Sequence, residues 1–140
     1  NWKKVLNLWF LNQIKNHQDF IGLNYYFHKR IPLVESKQDS AVESSDMGWE
    51  IYPPGIYHVL KDLAAYQKPI YITENGAAYA DAPDEEGRIR DHKRLSFVSR
   101  HLEALQIAMM QGVPVKGYFM KSFLDSFEWI HGYQKRYGMV

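Results

Sequence analysis

The chain has 140 residues, 46% of them hydrophobic, enough for one domain with a core and too few for a complete eight-stranded α/β barrel of about 250 residues. Seventeen basic and sixteen acidic residues, spread without long runs, leave a net charge of +1 and give no electrostatic case for nucleic acid or an anionic membrane. With no cysteine there is no disulfide framework or thiolate site, and no apolar run approaches the roughly 20 residues of a membrane span. No signal-peptide pattern opens the chain, so a soluble, cytoplasmic protein is expected.

In chain order, Val5, Leu6, Trp9, Phe10 and Ile14 recur at helical spacing and predict an amphipathic helix over residues 2–17. The run DFIGLNYYF follows, with Phe20, Ile21, Leu23, Tyr25 and Tyr26 forming a strand. A long loop, Phe27 to Pro54, carries a polar tract and the sequence DMGWEIYPPG, and a loop of that length inside a compact domain is usually functional or disordered. Ile56, Val59, Leu60 and Leu63 mark a helix over residues 55–66, and PIYIT, residues 69–73, is a short buried strand. A second loop, rich in Gly, Asp and Glu, runs from Asn75 to Arg90. Asp91 then stands where a side chain can cap a helix whose core stripe is Leu95, Val98, Leu102, Leu105 and Met109, stopped by Gly112 and Pro114. The last strand is VKGYFM, residues 115–120.

Alternating helices and strands build parallel sheets, and ligands of such sheets lie at the carboxyl ends of the strands. The long loops follow the strands, and the strand ends carry NYY (24–26), TEN (73–75) and KSFLDSFEW (121–129), polar and aromatic stretches that would converge on one pocket. Aromatic content is 15%, with ten Tyr and four Trp, many in loops, which points to a ligand with flat apolar faces. No Gly-rich phosphate loop or nucleophile elbow follows a strand, and the six histidines show no metal-ligand spacing, so no cofactor and no metal are expected. Glu74 sits where a buried strand gives way to its loop. A carboxylate there is costly to desolvate and either finds a partner or serves chemistry. On the residues alone both readings stand: Glu74 as a paired structural carboxylate, Asn24 and Tyr26 as groups closing off strand ends, and Glu128 beside Trp129 as a loop ion pair next to a packed indole. Tyr25, facing the other way, is read as core, and Trp49 as structural packing.

Four blocks, DFIGLNYY, DMGWEIYPPG, PIYITENG and GYFMKSFLDSFEWIHGYQKRYG, together resemble the C-terminal part of glycoside hydrolase family 1, the retaining β-glucosidases and β-galactosidases. The resemblance covers almost the whole chain in the family's order. It implies an α/β fold, part of a (β/α)8 barrel, with residues 1–140 supplying about strands six to eight of one glycosidase domain incomplete at both ends. It also implies hydrolysis of terminal non-reducing β-linked sugars through two carboxyl groups. By resemblance Glu74 is the nucleophile, Tyr26 donates a hydrogen bond that orients it, and Asn24 is a polar contact nearby. Glu128 accepts from two sugar hydroxyls, Trp129 donates through its indole, and Tyr137 lines the sugar site.

Two departures from the family pattern bear on function. Where the family carries a tryptophan under the sugar, this chain has Lys121, whose ammonium is placed to pair with Glu74 and lower its pKa. The family's acid/base glutamate lies in an NEP motif that does not occur here. The implied partners are a small β-glycoside or oligosaccharide and the rest of the barrel, from a longer chain, a second fragment or self-association. This chain by itself is expected to be inactive, and the alternative is a non-catalytic partial barrel that self-associates or binds a sugar or aromatic ligand.

Overall fold

The computed structural model describes residues 7–29 and 42–140. It contains α1 (Trp9–Ile14), β1 (Ile21–Asn24), α2 (Pro53–Leu63) with a 3-10 turn (Ala64–Tyr66), β2 (Ile70–Asn75), α3 (His92–Met110) and β3 (Val115–Met120). The three strands form one parallel sheet in the order β1, β2, β3, with helices on the connections, as in part of a (β/α)8 barrel.

Two prolines open α2, where their missing N–H groups cost nothing, and Ile56, Leu60 and Leu63 fall on one helical face and are buried. That face packs with Leu105 and Ala108 of α3 against Ile21, Ile70, Ile72 and Val115 of the sheet, forming the main apolar core. A smaller cluster, Ile51, Ala77, Tyr79 and Phe97, lies under the loop after β2. Gly112, at φ +84°, supplies the left-handed residue that ends α3.

The α3 stripe expected from hydropathy matches the buried face only in part: Leu105 is buried and Val98 is half-buried against the smaller cluster. Leu95 is 66% exposed, Leu102 40% and Met109 46%, whereas Arg94, Phe97, His101, Ala104, Leu105 and Ala108 are buried. Two members of the true face are polar, and a hydropathy pattern passes over them. Arg94 is buried because carboxylates meet it, and His101 because its Nδ1 lies 2.7 Å from the Phe97 carbonyl oxygen while its ring packs on Phe97 and Tyr25. The exposed stripe lies about 100° round the helix from His101.

Asp91 is also redirected. It occupies the N-cap position without a capping hydrogen bond, and its carboxylate pairs with Arg94 instead. At α1, Trp9 and Phe10 are 60% and 62% exposed, and Leu11 supplies the contact with the core; Val5 and Leu6 lie outside the described residues. Strand β1 ends at Asn24, so Tyr25 and Tyr26 follow the strand rather than belonging to it, while β2 runs on through Glu74 to Asn75. The sheet face away from the helices carries Phe20, Tyr71 and Phe119, with Phe20 and Phe119 more than half exposed.

Candidate active site

The carboxyl end of β2 departs from regular pairing. Leu23 pairs with Ile72, but Asn24 pairs with Glu74, so β2 contributes one extra residue, Thr73, at this point. In an unbroken strand Glu74 would share the buried face of Ile70 and Ile72. The extra residue shifts the alternation: Asn75 becomes fully buried and Glu74 is left half-buried at the mouth. Asn75 donates to the Tyr25 carbonyl (2.6 Å) and accepts from the Tyr118 hydroxyl (2.7 Å), tying the ends of all three strands together. Gly76 completes the junction. A Cβ there would stand 2.0 Å from the Lys121 carbonyl oxygen, so only glycine lets β2 and β3 close at this level.

On this frame Tyr26 donates its hydroxyl hydrogen bond to Glu74 Oε2, while the Tyr25 amide donates to the Glu74 carbonyl (2.9 Å). Burial, then the Glu74 carboxylate, push the Tyr26 phenol far above its ordinary range, so it serves as a neutral donor near pH 7. Tyr137 is buried, its ring centroid 6.4 Å from that of Tyr26. Its phenol is pushed up to about 12, first by burial and then by the Glu128 and Glu74 charges. Trp49 lines the other side of Tyr26 at 5.6 Å and stacks on Phe27 at 4.8 Å.

Lys121 does not make the expected pair with Glu74. Its ammonium lies 3.1 Å from Glu128 Oε1, and 5.2 and 6.0 Å from the ring centroids of Tyr137 and Tyr26. The reason is the start of the segment after β3: the Lys121 amide donates to the Asn75 carbonyl (3.0 Å), and the chain then turns so that Glu128, in a tight bridge with Gly132, faces back toward it. Tyr26, Glu74, Lys121, Glu128 and Tyr137 therefore form one connected cluster. Asn24 is exposed and accepts from the Thr73 hydroxyl (2.6 Å), and Trp129 is 94% exposed, outside the cluster.

Apart from Asp91, which the sequence marks only as a helix cap, the residues that hold Tyr137 in place carry no sequence signal of that role. Arg94, 3% exposed, donates to Asp81 (2.8 Å), to Asp91 and to the Arg136 carbonyl (3.1 Å). Arg136 in turn donates to the Asp81 carbonyl (2.7 Å) and to Asp125 (2.9 Å), and Asp125 accepts from the Gly138 amide (2.7 Å). Burial works against the Asp125 charge, but the Gly138 amide and Arg136 outweigh it and hold its carboxyl below the usual range. This clamp binds the residues on either side of Tyr137. In the sequence these are scattered charges before and at the start of α3 and in the segment after β3, which does not reveal who pairs with whom. Among the described residues no group of His, Asp or Glu is arranged to hold a metal ion, and no helix is long and apolar enough to cross a membrane.

Three parallel strands with helical crossovers, and carboxylates set among tyrosine rings at the strand ends, are the architecture of part of an α/β barrel. The chain belongs to glycosyl hydrolase family 1, a β-glycosidase family, whose model matches residues 10–140. It is 42% identical over 138 residues to a 1,4-beta-D-glucan glucohydrolase of Thermotoga neapolitana, covering 93% of this chain and 32% of that protein. It is 36% identical over 159 residues to a 6-phospho-beta-galactosidase of Staphylococcus haemolyticus, covering 92% and 34%. The solved family 1 β-glucosidase of Thermotoga maritima superimposes with a TM-score of 0.83 at 41% identity, over 93% of this chain and 31% of that one. The chain thus spans about a third of the length of the relatives it matches.

Proposed function

We propose that the chain supplies strands six to eight of a retaining β-glycosidase barrel that hydrolyses terminal, non-reducing β-linked sugars. Glu74 is the nucleophile. One observation carries the reading: a half-buried carboxylate at the carboxyl end of the central strand, turned out of the core by one extra residue and oriented by a neutral tyrosine donor. In the first step a Glu74 oxygen bonds the anomeric carbon as the aglycone oxygen departs, taking a proton from an acid/base glutamate outside this chain. Water then cleaves the glycosyl ester, giving its proton to that same group. Tyr26 keeps one carboxylate oxygen occupied and so aims the other. Glu128 and Tyr137 bind and flank the sugar, Trp129 reaches it as the loop after β3 packs against the rest of the barrel, and Asn24 contributes a polar contact beside Glu74. Relatives named for glucan and for 6-phosphogalactoside hydrolysis leave the choice of sugar to this loop and to the remaining strands.

A second reading is favoured by the exposed Phe20 and Phe119 on the open face of the sheet: a non-catalytic partial barrel that buries this face by self-association. Incubation with dinitrophenyl 2-deoxy-2-fluoro-β-glucoside, followed by intact mass and peptide mapping, separates the two. The activated leaving group lessens the need for an acid, so a single sugar on Glu74, absent from Glu74→Gln, is the expected result. An unlabelled, self-associated chain overturns the glycosidase reading in favour of the second.

A further inference from the structure

The position of Lys121 has a consequence for what the site accepts. Its backbone is fixed at the mouth, with the amide on the Asn75 carbonyl and the carbonyl closed against Gly76. From that fixed root the side chain reaches between the two groups that a sugar would contact: the Glu128 carboxylate on one side and the Tyr26 and Tyr137 rings on the other. A charge-assisted hydrogen bond and two ring faces suit an ammonium well. The same acceptor oxygen and the same faces suit a sugar ring with its hydroxyls. A sugar seated there competes with the ammonium for Glu128 Oε1 and for the ring faces.

We propose that Lys121 is an internal occupant of the sugar subsite and sets its selectivity, because a neutral glycoside must first displace the ammonium from Glu128. The inference rests on the glycosidase reading for the identity of the displaced ligand, but the occupancy itself depends only on Lys121, Glu128 and the two tyrosines. Holding Lys121 against Glu128 is worth on the order of tenfold in the affinity of a competing neutral ring. Removing the charge while keeping the stem, as in Lys121→Met, frees Glu128 and leaves an apolar chain beside the rings.

Two measurements on the full chain test this. Amine-reactive footprinting should modify Lys121 several-fold more slowly than the exposed Lys116, and Glu128→Gln should abolish that protection. Labelling of Glu74 by the fluoroglucoside should run about tenfold faster in Lys121→Met than in the unmodified chain. Lys121 reacting as fast as Lys116 overturns the proposal. Labelling that occurs at equal rates in both proteins overturns the occupant while leaving the role of Glu74 intact, and labelling of neither overturns the role of Glu74 while the footprinting decides the occupancy.

Discussion

The flank of the sheet packed against α2 and the mouth at its carboxyl end are held by different forces. Against α2, Ile56, Leu60, Ile70, Ile72 and Ala108 are fully buried apolar side chains whose attraction is non-directional and grows with the area removed from water. At the mouth, the buried set includes Arg94, Asn75 and His101, and the contacts are directional: Arg94 to two aspartates and a carbonyl, Asn75 to Tyr25 and Tyr118. Apolar packing tolerates a range of shapes. Hydrogen-bonded ions do not, and that intolerance fixes Glu74, Tyr26 and Tyr137 relative to one another.

The sharpest way to break the contrast is Arg94→Met. It strands Asp81, Asp91 and the Arg136 carbonyl in a buried site and should cost about 3 to 5 kcal/mol in chemical denaturation, while releasing Tyr137 from Tyr26. Leu60→Ala, in the apolar flank, should cost about 2 to 5 kcal/mol yet leave the tyrosine cluster intact by near-ultraviolet circular dichroism. Equal loss of that signal in both variants would mean that the clamp has no separate role.

Acid provides the next test. Burial lowers the His101 pKa from 6.5 to about 4, with proximity to Arg100 acting the same way and the Phe97 carbonyl opposing it. The unfolded chain binds a proton between those values and the folded chain does not, so stability present above pH 6.5 is lost as pH falls toward 4, by about 3 kcal/mol. His101→Leu should flatten stability across that window; an unchanged slope would remove His101 from the account. The smallest effect is expected at Leu102. A core leucine there would lose several kcal/mol on replacement by Gln, but on the exposed flank the change should stay within about 0.5 kcal/mol of zero. A larger loss would restore the stripe that hydropathy suggests.

How much of this was legible depends on the kind of interaction involved. The three strands, the two longer helices and the convergence of the strand ends follow from apolar periodicity and from Pro and Gly at element boundaries, because those signals are local in sequence. Hydropathy finds Leu105 but misses the rest of the buried face of α3 because Arg94 and His101 are polar, and the pattern cannot know that partners 13 and 42 residues away offset the cost of burying Arg94. The partner of Lys121 is hidden for a related reason: the sequence places it near the strand ends, beside Glu74, but does not say which way the following loop returns to bring Glu128 to it.

By itself the sequence determined the order of helices and strands, the family-wide blocks and the candidate residues around Glu74. Only the tertiary structure decided which way those residues face. The extra residue, Thr73, turns Glu74 out of the core and Asn75 into it, and the return of the loop after β3 gives Lys121 to Glu128. Side-chain direction along a strand alternates with every residue, so a single insertion in the pairing reverses it, and pairing is a property of two strands that neither one encodes alone.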